Sequence, residues 1–353
     1  MTHLRSRPCT SVKRRVLLSM APATIAASTL GYRSAKAQSP TRVRLTLDWV
    51  PNGGQAPIYL AKYNGYFEKE GLDVSIDSGN GGTAFIQRLT SGPYDIAVGD
   101  IGALIEAAGN APGTPPPMQA VYALYDEPLN AIFASRKSGV ATAADLPGKS
   151  IGGAIFASTR KLWPLYARAA QIAPTSVNWV TVDPQLRASL LMRGDVAAIA
   201  GFRTDLPDLL NIGLKTEDLV VLSFAQQGVQ IYSNSLFASR SFINEQPAAI
   251  KAFLRAINSA YKASMASPEV AIQALLKREP LLKAAPELAK LQMCLAAMAT
   301  PHAKAQGGLG GIDRSRMTNQ IEQFASVLAL KSRPEVDVLF NASMLPDAAE
   351  RRI

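Results

Sequence analysis

The chain has 353 residues, 48% of them hydrophobic and 18% charged, which is typical of a globular protein large enough for two lobes with separate cores. Its formal net charge of +10 is concentrated in the first 37 residues, which contain seven basic residues and no acidic one, so the rest carries only +3. No later run of lysine and arginine with interleaved aromatic residues occurs, and this excludes nucleic acid as an expected partner.

The N-terminal segment has the organisation of an export signal. A basic region precedes a moderately apolar run at residues 16–30 and the small-x-small pattern AKA at residues 35–37. We predict a signal peptide over residues 1–37, cleaved near Ala37, and hence a periplasmic protein. The apolar run is shorter than the ~20 residues of a membrane span and contains a proline, which disfavours a retained anchor. The pair Arg14 and Arg15 resembles a twin-arginine signal, and the general secretory route stays open.

After this segment, short apolar runs alternate with helical patterns. Strands separated by helices of about ten residues indicate βαβ units and a parallel sheet. A Pro-rich stretch interrupts the first series, and a second series follows, which indicates two α/β lobes. The predicted strands are residues 43–47, 73–76, 95–98, 119–125, 130–136, 177–182 and 196–200, with a turn and a further strand over residues 142–153. Residues 56–70 are predicted as a helix and a turn, and the other predicted helices are residues 83–91, 101–108, 158–171 and 185–193.

The last third of the chain differs in character. Residues 220–243 are rich in strand-forming residues, whereas residues 244–329 read as almost entirely helical, with prolines at helix starts or breaks. One helical stretch carries apolar residues at i, i+3, i+4 and i+7 spacing, which predicts a face packed on a core. That stripe consists of Ile250, Phe253, Leu254, Ile257 and Tyr261.

Cysteine and histidine usage excludes several kinds of site. Cys9 lies in the predicted signal, so Cys294 is alone in the mature chain and is expected to be a small buried apolar residue. His302 is the single histidine beyond the signal, in a loop-like segment where we expect it to be solvated. Histidine-ligated zinc sites and Ser-His or Cys-His nucleophiles need histidine beside other specific groups. We predict neither a metal site nor a catalytic residue.

Five segments together resemble a known family. They are LDWVPNGGQAPIYLAKYNGYFEKEGLDV, GNGGTAFIQRLTSGPYDIAVGD, LPGKSIGG, RGDVAAIAGF and QGVQIYSN. In order and spacing they are similar to the solute-binding proteins of ABC importers in the nitrate/sulfonate/taurine and thiamine-pyrimidine-precursor superfamily, over about residues 43–265.

The resemblance implies an α/β, two-lobed periplasmic-binding-protein fold of type II, with the ligand cleft between the lobes and a helical C-terminal part. Lobe 1 would comprise residues 38–130 plus 235–353, and lobe 2 residues 131–234. It also implies a small-molecule ligand, and an ABC transporter permease and ATPase as partners. We expect a monomer without a cofactor.

Open α/β sheets bind ligands at the carboxyl ends of their strands, so residues directly after strands are the candidates. Trp49 follows the first strand, and the proline and glycines after it let the chain turn and present the ring to a planar ligand. Burial in the core is the alternative. Asn52 can hydrogen-bond a pyrimidine edge or only close the turn. The family resemblance adds Gln55, where many pyrimidine binders have histidine.

Two further positions of lobe 1 follow the same rule. Gly82 and Thr83 precede a helix and offer backbone N–H groups to an acceptor or anion, although the pattern also fits a plain N-cap. Asp100 heads the next helix, and either a capping role or a ligand contact suits it.

In lobe 2, Phe156 is expected across the cleft from Trp49, with Ser158 contacting the ligand or capping a helix. Phe202 and Arg203 follow another strand. Arg203 can clamp a carboxylate or phosphate with two hydrogen bonds, or pair with Asp205 at the surface.

Tyr232 and Asn234 fall where the family carries a Tyr-x-Asn element. Strand alternation puts both on one face, toward the cleft in the pyrimidine-binding branch. A hinge position without ligand contact is the alternative.

The function predicted from these features is extracytoplasmic binding of a small planar heterocycle or aromatic for import. The DWVPN opening favours the pyrimidine-precursor branch, with sulfonate, nitrate or taurine binding as the alternative. The superfamily also contains pyrimidine synthases that use pyridoxal phosphate, a lysine and a histidine, but Gln55 replaces that histidine and QQGVQIYSN lacks the cysteines of that branch, so no enzyme is expected. A transcription regulator would need an N-terminal helix-turn-helix.

Overall fold

A computed structural model describes residues 39–353, and the predicted signal peptide lies outside the described residues. The ten strands are β1 (Thr41–Thr46), β2 (Leu72–Asp77), β3 (Ile96–Asp100), β4 (Met118–Ala123), β5 (Asn130–Ser135), β6 (Ser150–Gly153), β7 (Asn178–Thr181), β8 (Ala198–Phe202), β9 (Leu219–Ser223) and β10 (Asn234–Ser239).

Sixteen α-helices occur within the described part of the chain. The first eight are α1 (Ala56–Tyr63), α2 (Tyr66–Lys69), α3 (Ala84–Ser91), α4 (Ile101–Asn110), α5 (Ser158–Lys161), α6 (Trp163–Ala169), α7 (Arg187–Arg193) and α8 (Leu206–Asn211). The remaining eight are α9 (Arg240–Glu245), α10 (Pro247–Ala266), α11 (Pro268–Arg278), α12 (Ala284–Met298), α13 (Pro301–Ala305), α14 (Arg314–Val327), α15 (Val336–Leu339) and α16 (Ala348–Arg351). None of them has the length and apolar character of a membrane span.

The strands form two five-stranded sheets, with orders β2-β1-β3-β10-β4 and β7-β6-β8-β5-β9. In the first sheet β1 is parallel to β2 and β3, and β10 is antiparallel to β3 and β4. In the second sheet β6 is parallel to β7 and β8, and β5 is antiparallel to β8 and β9. The sheets are therefore mixed, each carrying one reversed strand in an otherwise parallel arrangement.

The chain crosses between the sheets twice, from β4 to β5 and from β9 to β10. We use lobe 1 for the first sheet with α1–α4 and α9–α16, and lobe 2 for the second sheet with α5–α8. The fold is the two-lobed α/β fold that the resemblance implied. The residue boundaries predicted for the lobes stay a prediction.

Amphipathic helices cover the sheets and create the core. The α10 stripe predicted from the sequence is buried, since Ile250, Phe253, Leu254 and Ile257 are fully inaccessible and Tyr261 nearly so. Burying each such side chain contributes about 1.5–3 kcal/mol. A second cluster extends from Ile101 of lobe 1 through α14 to Trp163 of lobe 2, so the apolar interior is continuous between the lobes.

One predicted helix is divided in the structure. The single helix expected over residues 158–171 is two helices, α5 and α6, which meet at Leu162. Pro164 explains the break, because proline lacks an N–H and suits the first turn of a new helix.

Candidate functional site

The turn after β1 has a defined hydrogen-bonded structure. Asn52 caps a short 3-10 helix, Gly53–Gln55, by accepting the Gly54 N–H at Oδ1 (2.9 Å), and Gln55 Oε1 accepts the Asn52 N–H (3.0 Å). This reciprocal capping satisfies two backbone donors that would otherwise be unpaired. The side chains of Asn52 and Gln55 are therefore committed to the turn as well as being positioned beside the cleft.

Trp49 stands at the entrance of this turn with 39% of its surface exposed. It is not in the lobe core, which removes the alternative considered from the sequence. Its ring packs on the next strand-end loop, where a Cβ on Gly81 would lie 2.8 Å from it. Gly81 has φ +78°, a conformation suited to glycine, so the loop can lie flat against the indole.

Carboxylates form the floor of the cleft in lobe 1. Asp48 accepts hydrogen bonds from Gln55 Nε2 (2.9 Å) and Asn234 Nδ2 (2.7 Å), and burial raises its pKa. Asp100 caps α4 by accepting the Gly102 N–H at 2.7 Å, and burial, with a smaller contribution from the negative charge of Asp48, raises its pKa to about 6. Both groups are acceptors when ionised, and the floor therefore favours hydrogen-bond donors.

Lobe 2 supplies the opposite wall. Phe156 follows β6 and is 54% exposed, and a Cβ on Gly82 would lie 3.6 Å from its ring, within van der Waals distance. Ser158 Oγ accepts a hydrogen bond from Asn130 Nδ2 at 3.1 Å, at the start of β5. The aromatic ring of lobe 2 thus reaches the glycine loop that holds the aromatic ring of lobe 1.

The cavity enclosed by these walls has a volume of about 420 Å³. Ten of the twelve candidate residues line it, namely Trp49, Asn52, Gln55, Gly82, Thr83, Asp100, Phe156, Ser158, Phe202 and Asn234. A ligand role for each of them stays a prediction.

Two of the candidates lie outside the cleft lining. Arg203 pairs with Glu127 (2.6 Å) and is not part of the cavity lining. Asp205, the partner considered from the sequence, pairs with Arg187 instead (3.2 Å). The cleft-facing position expected for Tyr232 is wrong: its side chain is 1% exposed, its hydroxyl accepts the Asp313 N–H at 2.7 Å and Arg316 lies over its ring.

Of the expectations for the cysteine and the histidine, the one for Cys294 is confirmed and the one for His302 is wrong. Cys294 is buried as predicted, and burial raises its pKa to about 12; it also lies at the cleft wall. His302 is not a free loop residue, because it lies in α13 and its Nδ1 is 2.9 Å from Asp126 Oδ1. Among residues 39–353 no cluster of three or more potential metal ligands occurs.

Sequence reasoning missed Asp48 as a cleft residue and did not decide between Asp205 and Asp208 for the acidic residue that the family resemblance leads one to expect after the GF element; all three line the cleft. Asp48 could have been found, since it precedes Trp49 directly after the first strand. The two acids of lobe 2 follow β8, but nothing in the sequence separates cleft acids from surface acids there.

Charge in the cleft is predominantly negative. Five carboxylates line it, Asp48, Asp100, Glu106, Asp205 and Asp208, against two cations, Lys161 and Arg187. Both cations have carboxylate partners, since Lys161 pairs with Glu106 (2.7 Å) and Arg187 with Asp205. In the described part of the chain, no unpaired lysine or arginine faces the cavity.

Three ion pairs join the lobes around this cavity. Lys161 of α5 meets Glu106 of α4, Arg203 meets Glu127 beside the first crossing, and Lys290 of α12 meets Asp208 of α8 at 2.8 Å. The cations come from both lobes. In this structure they hold lobe 2 against lobe 1 and against the segment of the first crossing.

Comparison with known proteins agrees with this architecture. Residues 52–271, more than half of the chain, match the family described as NMT1/THI5 like. The chain belongs to this family.

Proteins similar to this chain have names that describe different activities. The chain is 27% identical over 278 residues, 77% of its length and 81% of the relative, to a formylaminopyrimidine-binding protein of Halalkalibacterium halodurans. It is 25% identical over 243 residues, 69% of its length and 75% of the relative, to a 4-amino-5-hydroxymethyl-2-methylpyrimidine phosphate synthase of Legionella pneumophila.

The fold also matches solved binding proteins. The periplasmic aliphatic sulphonate binding protein SsuA from Escherichia coli aligns with a TM-score of 0.65 and 18% identity, over 85% of this chain and 92% of that one. At this identity the likeness concerns the fold alone.

Proposed function

We propose that this family member is an extracytoplasmic solute-binding protein that captures a small planar heterocycle carrying hydrogen-bond donors and delivers it to an ABC import permease and its ATPase. It would act as a monomer after removal of the signal peptide near Ala37. The observation that carries the proposal is the composition of the cleft, in which exposed aromatic rings of two lobes flank a floor of carboxylates.

Each wall suits one part of such a ligand. Flat rings of Trp49 and Phe156 can stack on the faces of a heterocycle at low entropic cost, because each has only two side-chain torsions. Asp48 and Asp100 can accept hydrogen bonds from ring or exocyclic amino groups. An aminopyrimidine combines these two features, and the formylaminopyrimidine-binding relative supports this ligand class.

Binding would be linked to lobe closure. A ligand that touches both strand-end surfaces stabilises the closed state by its differential affinity for that state. The permease would then recognise the closed form, in which the two lobes present one continuous surface.

Anionic ligands are the second candidate, because proteins of this fold include sulphonate binders. A sulfonate or nitrate needs an unpaired cation or a cluster of N–H donors. In the described part of the chain the two cations that line the cleft, Lys161 and Arg187, are already paired with carboxylates. This favours a neutral or cationic ligand.

An enzymatic role resembling the synthase relatives is less well supported by the cleft. Pyridoxal phosphate requires a lysine for its aldehyde and an anion site for its phosphate. Lys161, the cleft lysine, is held by Glu106, and His302 lies away from the cavity. The residues of the cleft do not fit this cofactor, and no reaction step is assigned.

The test is a binding screen on purified protein comprising residues 38–353. Native mass spectrometry identifies any small molecule retained from the cell, and a thermal-shift screen compares formylaminopyrimidine, taurine and nitrate. We expect stabilisation by the pyrimidine and none by the two anions. Stabilisation by taurine or nitrate alone would overturn the ligand class, and turnover of pyridoxal phosphate would overturn the binding role.

A further inference from the structure

The turn that carries Trp49 rests directly on helix α12. The Gly53 N–H donates to Glu287 Oε2 at 2.6 Å, and a Cβ on Gly53 would lie only 1.9 Å from the Glu287 carbonyl oxygen. Contact this close requires glycine at position 53. The Glu287 side chain is 4% exposed, so the turn is fixed by a buried carboxylate rather than by solvent-facing groups.

Lys290 lies one helical turn after Glu287 and completes the arrangement. Its Nζ donates to Glu287 Oε1 at 2.8 Å and meets Asp208 Oδ1 at the same distance. Its side chain is 9% exposed, and Asp208 belongs to α8 of lobe 2. A continuous series of contacts therefore runs from the Gly53 amide through Glu287 and Lys290 to the other lobe.

Burial determines how this series responds to lobe movement. A buried ammonium is stable only when carboxylates and hydrogen bonds replace its water, and a buried carboxylate has the same requirement. Opening of the cleft would remove Asp208 from Lys290 and admit water beside the Glu287 pair. Closure restores the second carboxylate and excludes that water, which strengthens the hold of Glu287 on the Gly53 amide.

We propose that Lys290 is a positioning residue for the ligand cleft, coupling the conformation of the Trp49 turn to closure of lobe 2 through Glu287 and Asp208. The role of Lys290 in ligand binding rests on the proposed binding function. The contacts that define it, however, join protein groups only, so they can be tested without a ligand. Lys290 itself does not line the cavity, so it acts through the residues it holds.

Two measurements on protein without added ligand separate the two contacts of Lys290, one with Glu287 and one with Asp208. Amide hydrogen exchange at residues 52–55 reports the turn. Spin labels at Asp73→Cys and Lys137→Cys, exposed positions on lobes 1 and 2, report the interlobe distance by double electron–electron resonance in a Cys294→Ala background.

Lys290→Met should affect both readouts. We expect about tenfold faster exchange at the turn and a distance distribution broadened toward the open state. Asp208→Asn should broaden the distances while exchange at residues 52–55 increases less. The matched control is Asp195→Asn, an exposed carboxylate that pairs with Arg193 inside lobe 2 and should leave both readouts at the parent values.

Because Lys290→Met leaves Glu287 buried without its cation, which can by itself prevent folding, a second variant keeps the test decisive. In the double variant Glu287→Gln with Lys290→Met, the amide oxygen still accepts the Gly53 N–H while the link to Asp208 is lost. We expect protected turn amides together with a broadened distance distribution. Parent-like distances in both the double variant and Asp208→Asn would overturn the proposal.

Neither measurement contains a ligand, so the proposal and the binding function fail separately. Loss of heterocycle binding with intact coupling would refute only the ligand assignment. Unchanged lobe distances with intact heterocycle binding would refute only the role of Lys290.

Discussion

Asn234 donates a hydrogen bond from Nδ2 to Asp48 Oδ2 at 2.7 Å, across 186 residues of sequence. The contact joins the end of β1 to the start of β10, the strand by which the chain returns to lobe 1. Gln55 donates to the other carboxylate oxygen of Asp48 at 2.9 Å. The orientation of this acceptor is therefore fixed before any ligand arrives, which lowers the entropic cost of recognition.

Trp49→Ala should weaken binding of formylaminopyrimidine by about 10- to 100-fold, since stacking of a base on an aromatic ring contributes about 1–3 kcal/mol. Thermal stability should change little because the ring is partly exposed in the parent. Isothermal titration calorimetry measures the affinity. Trp179→Phe is the control, because Trp179 packs on Trp163 and Arg160 outside the cleft. Parent-like affinity of Trp49→Ala would contradict the site assignment.

Asp100→Asn should stabilise the protein at neutral pH. Burial raises the pKa of Asp100 to about 6 from 3.8, so the folded state binds the proton more tightly than the unfolded state. Stability is therefore lost as pH rises from about 3.8 to 6, with a full cost of at most about 3 kcal/mol above that window. Asparagine is neutral at every pH and still caps a helix.

The measurement is the melting temperature of Asp100→Asn and the parent as a function of pH. We expect the two curves to lie close together near pH 4 and the variant to melt higher at pH 7–8. Asp73→Asn, at an exposed position of β2, should show no such divergence. A variant that is less stable than the parent at pH 8 would show that the Asp100 charge stabilises the fold.

Gly53→Ala should destabilise the protein by about 1–3 kcal/mol, the usual cost of overpacking, because the added methyl would overlap the backbone of α12. Urea unfolding measures this free energy. Gly152→Ala is the matched control, since a Cβ there meets its nearest neighbours at 3.5 Å, an ordinary contact. Equal effects of the two substitutions would indicate that glycine propensity, rather than the close approach to α12, determines the cost.

Tyr232→Phe should reduce stability by about 1 kcal/mol and leave ligand affinity unchanged. The lost hydroxyl accepts the Asp313 N–H, and the ring lies outside the cleft. Urea unfolding and calorimetric titration of the same preparation provide the two quantities. A selective loss of affinity would return Tyr232 to the binding site.

The sequence was informative where local pattern decides structure. The strand-end rule selected Trp49, Thr83 and Asp100, all of which line the cleft, because the carboxyl ends of parallel strands in a sheet converge at one edge. The spacing of apolar residues in α10 identified its buried face, because residues three and four apart lie on the same side of a helix. These features depend on residues close together in the chain.

Features that depend on distant residues could not be predicted. Tyr232 was expected beside Asn234 by strand alternation, but β10 begins only at Asn234, and Tyr232 instead packs against α14. Glu287 contacts Gly53 across 234 residues, and no local pattern indicates that pairing. Arg203 likewise pairs with Glu127 in the first crossing, 76 residues earlier in the chain, rather than with a neighbouring aspartate.

Cys294 is a built-in probe of the opening of the cleft. The thiol lies in the wall of the ligand cavity, and because burial raises its pKa to about 12, little reactive thiolate forms while it is buried. A small alkylating reagent would gain access only during excursions to the open form. The rate of alkylation of Cys294 therefore reports how often the cleft opens. A ligand bound in the cavity would lower that rate, and no added label is needed.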